Sequence, residues 1–174
     1  MQCPAFPGRF LRSSRMQISR HFPRLVRRAA LALCLAGAAQ VHAQEAAVQR
    51  KSDYPFAATV ARLQDALRAK GMTIFAVIDH QAAAKQAGLD MPPTQVVVYG
   101  NPKAGTPLML AAPDFALELP LKVLVRETAS GEVLVVYHPA GTREGMLGLP
   151  AGMAQQLAGA ERIVDAAVRR APAD

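Results

Sequence analysis

His80 is the side chain in this sequence best suited to chemistry near neutral pH. It follows Asp79 at the end of an apolar run. A neutral imidazole in that position is a candidate general base or metal ligand. The second candidate is the turn Gly100-Asn101-Pro102-Lys103-Ala104-Gly105-Thr106. It joins a strand to the start of a helix, where free N–H groups and the helix dipole attract anions. Lys103 adds a charge and Thr106 a hydroxyl. The turn is not a phosphate-binding Walker loop, which needs Gly-Lys-Ser/Thr at fixed spacing. Tyr99 and Tyr137 each end an apolar run and, with His80, are expected to rim a pocket at one end of a sheet.

The expected binding set is therefore His80, Tyr99, Asn101, Lys103 and Thr106, for a small molecule or an anion. An enzyme would use His80 as general base and Lys103 as electrostatic stabiliser. His80 and His138 form the candidate metal pair, without a third ligand at diagnostic spacing. Plainer readings stand beside these: Asp79 caps a helix, and the glycine-rich turn is only a turn. No cofactor motif is present. Ser52 and Ser130 are the only serines after residue 43, so Ser/His/Asp catalysis has little to work with. Met72, Met91, Met109, Met146 and Met153 follow no Met-x-Met spacing and read as core filler.

Charge and cysteine narrow the class further. Residues 1–43 carry seven Arg and no acidic residue. The rest carries 13 Lys+Arg and 13 Asp+Glu, so the net charge of +7 belongs to the N-terminal segment. That segment has the form of an export signal: Arg24, Arg27 and Arg28, an apolar stretch from Ala29 to Ala39, then Val41-His42-Ala43. Cleavage after Ala43 is expected, with Met1 or Met16 as the start. The stretch is shorter than the roughly 20 apolar residues a membrane span needs. The expected product is periplasmic or secreted, has no membrane segment, and is close to electroneutral. It lacks the basic surface of a nucleic-acid binder. Cys3 and Cys34 both lie in the leader, leaving no thiol for a disulfide, a thiolate metal site or a nucleophile.

The elements that must position these residues alternate between strand and helix. Gln44–Lys51 reads as a flexible arm and Ser52–Phe56 as a short strand. Ala58–Lys70 places Val60, Leu63 and Leu67 at helical spacing, with Gly71 as its stop. Met72–Ile78 is β-branched and apolar, which predicts a buried strand. Asp79 caps a short helix from His80 to Ala87, closed by Gly88. Thr94–Tyr99 is a strand. Thr106-Pro107 predicts the cap and first residue of a helix over Leu108–Ala112. Leu121–Glu127 and Glu132–Tyr137 form a hairpin around Thr128–Gly131. Gly141–Gly152 reads as a flap or linker, and Met153–Arg170 as a final helix. The expected fold is α+β in one domain, residues 52–170. It is a two-layer sandwich whose mostly antiparallel sheet of about five strands carries two main helices on one face. A bare face or edge would pair with a second copy.

The order of motifs across Tyr54–Tyr137 is distinctive. It runs from Leu63 through Gly71 to Ile78-Asp79-His80 with Ala83-Ala84-Lys85, then Gly88-Leu89, then Gly100–Met109, then Leu119-Pro120-Leu121. In this the chain resembles the domain-of-unknown-function 302 family, most specifically over Gly100–Met109. The resemblance covers about two-thirds of the segment after residue 43. It implies a compact two-layer α+β domain, often self-associating, and the expected partner is a second copy in a homodimer. It implies no established activity.

Overall fold

The computed structural model describes residues 47–170. The expected export signal and cleavage site, residues 1–43, lie outside the described residues. Five strands form one antiparallel sheet: β1 (Val48–Lys51), β2 (Thr73–Asp79), β3 (Thr94–Gly100), β4 (Leu121–Glu127) and β5 (Val133–Tyr137). Their order is β1-β5-β4-β3-β2. Among the described residues the α-helices are α1 (Phe56–Ala69), α2 (His80–Gln86), α3 (Pro102–Ala111) and α4 (Gly159–Ala167). The α+β class and the open antiparallel sheet match the sequence-based expectation.

Alternation along the strands sets the core. Val97 and Tyr99 on β3, Val123 and Val125 on β4, and Val135 and Tyr137 on β5 all point to one buried face. Leu63 and Leu67 lie one helical turn apart on α1 and are fully buried in the same cluster as those strand residues. Val164 and Ala167 of α4 join it. The second sheet face carries half-buried Val96, Val98, Leu124 and Val136 beside exposed Lys122.

Several boundaries differ from the sequence-based expectations. Val48–Lys51 is not an arm but an edge strand on β5, and Ser52–Pro55 is the turn into α1. Pro55 cannot cap α1 with a side chain. Thr59 supplies the missing polar contacts, donating to the carbonyls of Tyr54 and Pro55 at 3.0 Å and pairing with the Ser52 hydroxyl at 2.7 Å. β2 is apolar but not buried. It forms the other sheet edge, and Phe75, Val77 and Ile78 are 54%, 41% and 45% exposed. Its composition resembles a central strand, yet the helical layer ends short of its second half.

The helix expected after Thr106-Pro107 starts earlier. Asn101 Oδ1 accepts from the Lys103 N–H at 3.0 Å, Pro102 takes the first turn, and Pro107 lies inside α3. An Asn cap followed by proline outcompetes the later Thr-Pro pair. The last helix breaks in two, a 3₁₀ turn at Met153–Leu157 and then α4, with the break next to Gly159, a poor helix former. Gly141–Gly152 is not a free flap. Arg143 and Leu149 within it are buried.

Candidate functional site

Strand register decides which candidate residues meet. β2 and β3 are antiparallel, with Thr73 opposite Gly100 and Asp79 opposite Gln95. His80 follows Asp79, so it lies at the Gln95 end of β3, whereas Asn101 leaves the other end. Gln95 to Gly100 alone is five residues at about 3.4 Å each, roughly 17 Å, and His80 and Asn101 lie beyond its two ends. The structure therefore does not bring His80 to Tyr99, Asn101, Lys103 and Thr106. It separates the proposed base His80 from Lys103 for the same reason. His138 follows Tyr137 on β5, with two strands between it and β2, and lies at the Tyr99 end. His80 and His138 cannot share a metal ion. Among the described residues no group of three His, Cys, Asp or Glu side chains could hold one. The local reading of Asp79 is correct: its Oδ1 accepts from the Ala82 N–H at 2.8 Å and its Oδ2 from Gln95 Nε2 at 2.9 Å. His80 opens α2 with an exposed side chain.

The Asn101 end of the sheet holds an apolar cavity of about 270 Å³. Met72 and Phe75, at the start of β2, form one wall. The first turns of α3 form another, through Asn101, Ala104, Thr106 and Met109. Leu119 to Leu121 and the turn around Leu157 close it. Glycine makes the close approach possible. A Cβ on Gly105 would stand 3.3 Å from Leu119 Cδ1, and one on Gly100 would stand 3.5 Å from the Phe75 ring. Among the described residues only Asn101, Thr106 and Gln156 bring polar side chains to the lining, and no ionisable side chain does. A broader groove of about 770 Å³ runs between α1 and α4 beside Arg62, Lys70 and Arg162, but it lies open to solvent.

The α3 N-terminus offers little to an anion. Pro102 has no N–H. The Lys103 N–H donates to Asn101 Oδ1, and those of Ala104 and Gly105 donate to the Asn101 carbonyl at 3.0 and 2.9 Å. The donors that would cradle a phosphate or carboxylate are already used. Lys103 is exposed and outside the cavity lining.

Tyr99 and Tyr137 do share this end of the sheet, but both rings are buried in the core. Burial pushes the Tyr99 hydroxyl up to about 12; Arg143 opposes the shift and Glu161 adds to it. Burial also raises Tyr137, helped by its hydrogen bond to Asp165 Oδ1 at 2.8 Å. Asp165 accepts from Arg50 Nε at 3.1 Å as well, tying β1, β5 and α4 together. Arg143 is buried beside the tyrosines. Its Nη1 donates to the carbonyls of His138 and Pro139, and its Nε stands 4.0 Å from Glu118 Oε2. These groups brace the fold.

Sequence reasoning found Asn101 and Thr106 but missed Met72, Phe75, Met109, Leu119 and Leu157. Apolar residues on four separate elements carry no shared spacing. The signal available was the pair of glycines, Gly100 and Gly105, flanking the turn.

Known proteins fit this picture at the level of the domain. Fluoride-specific ion channel FluC 1 of Brucella suis biovar 1 (strain 1330) is 41% identical over 91 residues, which is 52% of this chain and 36% of that protein. The protein of the same name from Brucella abortus biovar 1 (strain 9-941) is also 41% identical over 91 residues, 34% of its length. The chain thus spans about a third of the curated relatives it matches. Among the described residues no helix is long and apolar enough to cross a membrane. The crystal structure of an uncharacterized conserved DUF302 protein from Bacillus stearothermophilus shares the fold, with a TM-score of 0.60 at 18% identity, covering 70% of this chain and 94% of that one. The family model for the domain of unknown function DUF302 matches residues 48–169, from the first strand to just past the last helix, and the chain belongs to that family.

Proposed function

We propose that this is an exported domain that binds a small ligand in the cavity between β2, α3 and the turn at Leu157. The observation that carries the reading is the cavity itself: about 270 Å³, lined almost wholly by apolar side chains, with Asn101, Thr106 and Gln156 as its polar groups. Concave apolar sites with a few polar groups are the usual form of small-molecule sites. Tyr99, His80 and Lys103 drop out of the binding set, and so does the anion. The export half of the reading rests on the leader sequence. Native mass spectrometry of protein isolated from its own cells tests the ligand half. Wild type and Leu110→Ala are expected to carry a bound small molecule, because Leu110 is 79% exposed and outside the cavity. Ala104→Leu, which extends a side chain from the cavity lining, is expected to lose it. Ligand-free wild type would refute the reading.

A second reading concerns assembly. β2 is an edge of seven residues, Thr73–Asp79, without Lys, Arg or Pro, its only irregularity a register shift between Ile74 and Ala76, whereas the opposite edge β1 carries Arg50 and Lys51. A second copy fits it by antiparallel pairing. Centred on Ala76, that register sets Asp79 opposite Thr73, whereas parallel pairing would set like charges together. We propose a homodimer on this edge. The curated relatives are named for a fluoride channel, but the match covers only about a third of each. The channel activity is not carried over to this chain.

A further inference from the structure

We propose that the cavity selects an uncharged ligand of about ten non-hydrogen atoms, a single ring or short branched chain with one hydrogen-bonding group, over the carboxylate of the same shape. The inference rests on the cavity being the binding site and adds the chemical class of its occupant. Size comes first. A dry cavity of roughly 150 Å³ holds one benzene, and this one measures about 270 Å³. Charge comes second. Among the described residues no Lys, Arg, His, Asp or Glu lines the cavity. The α3 N–H groups are engaged with Asn101. The cavity is open on one side, and an ion seated against its apolar walls would lose part of its hydration without gaining a charged partner, which is disfavoured.

The polar groups that are present suit one neutral function. Asn101 Oδ1 is held by the Lys103 N–H, which leaves the Asn101 Nδ2 amide as a donor. Thr106 and Gln156 supply a hydroxyl and a second amide. Opposite them stand Phe75, Met72 and Met109, and thioether sulfurs pack favourably against aromatic rings. A hydroxymethyl or amide group on a ring meets both walls. Its carboxylate counterpart must lose its hydration against hydrocarbon.

Saturation-transfer NMR on the full chain with benzyl alcohol, benzoate and benzylamine as separate probes tests this. At pH 7.5, benzyl alcohol is expected to bind at least tenfold tighter than either ion. Benzoate binding is expected to recover as pH falls through the carboxylate range near about 4. Ala104→Leu should abolish the signal, and Gly105→Ala, a smaller intrusion, should weaken it if the larger variant misfolds. Lys103→Ala should change nothing. Benzoate binding as tightly as the alcohol at pH 7.5, while still sensitive to cavity filling, would overturn the charge selection and leave the site standing. Failure of all three probes would sink the site reading itself.

Discussion

Tyr99 gives a quantitative handle on the buried end of the sheet. Its ring is 3% exposed, and its hydroxyl titrates near about 12 in the folded chain against 10.0 in the open one. The folded-state value is raised, so the stability is complete below pH 10 and drains away as pH rises toward 12. In that window the unfolded chain gives up the proton and the folded chain keeps it. Linkage between those two values predicts a loss of about 1.4 kcal/mol at pH 11 and almost none at pH 8. Tyr99→Phe removes the titrating group. Urea unfolding of wild type and variant at pH 8 and pH 11 measures the difference. Tyr137 is raised too and remains in both proteins, so its contribution cancels in the comparison. Whatever Tyr99→Phe does to stability at pH 8, the variant should lose about 1.4 kcal/mol less than wild type on going to pH 11. Equal losses in the two proteins would mean that Tyr99 meets water in the folded state and that the packing described around it is wrong.

Two further outcomes follow from the packing. Thr59→Val keeps the side-chain shape but removes the hydroxyl bonded to Ser52 and to the Tyr54 and Pro55 carbonyls at the buried start of α1; the Pro55 carbonyl keeps the residue-59 N–H and Ser52 Oγ keeps the Tyr54 N–H, so the Tyr54 carbonyl bears the loss. The substitution should lower the urea-derived stability by about 1–3 kcal/mol, and an unchanged midpoint would remove that network from the account of how α1 begins. Val77→Lys places a charge on the exposed β2 edge and should convert the proposed homodimer to a monomer. Light scattering coupled to gel filtration reads this directly, and a wild type that runs as a monomer at high concentration would refute the edge pairing.

Much of the fold was legible because it is written in local signals. Asp79 as a cap, Gly71 after α1, and the hairpin of Leu121–Glu127 with its partner each depend on a few neighbouring residues. The family resemblance rested on such signals and holds. Legibility failed where two local signals competed. Asn101-Pro102 and Thr106-Pro107 are both sound helix starts, and only the chain's path chooses the first. It failed again for Met153–Arg170, where a favourable apolar face concealed the break beside Gly159.

The amino-acid order alone settled the α+β class, the basic N-terminal segment against a neutral remainder, and the absence of cysteine after residue 34. Each is a matter of composition or of contacts a few residues apart. Tertiary structure decided that β2 is an exposed edge, that His80 stands at the far end of β3 from Asn101, and that Met72, Phe75 and Met109 share one cavity. Strand order and direction govern all three. Residues 20 to 60 positions apart become neighbours or strangers only when the sheet assembles, and no spacing along the chain encodes that choice.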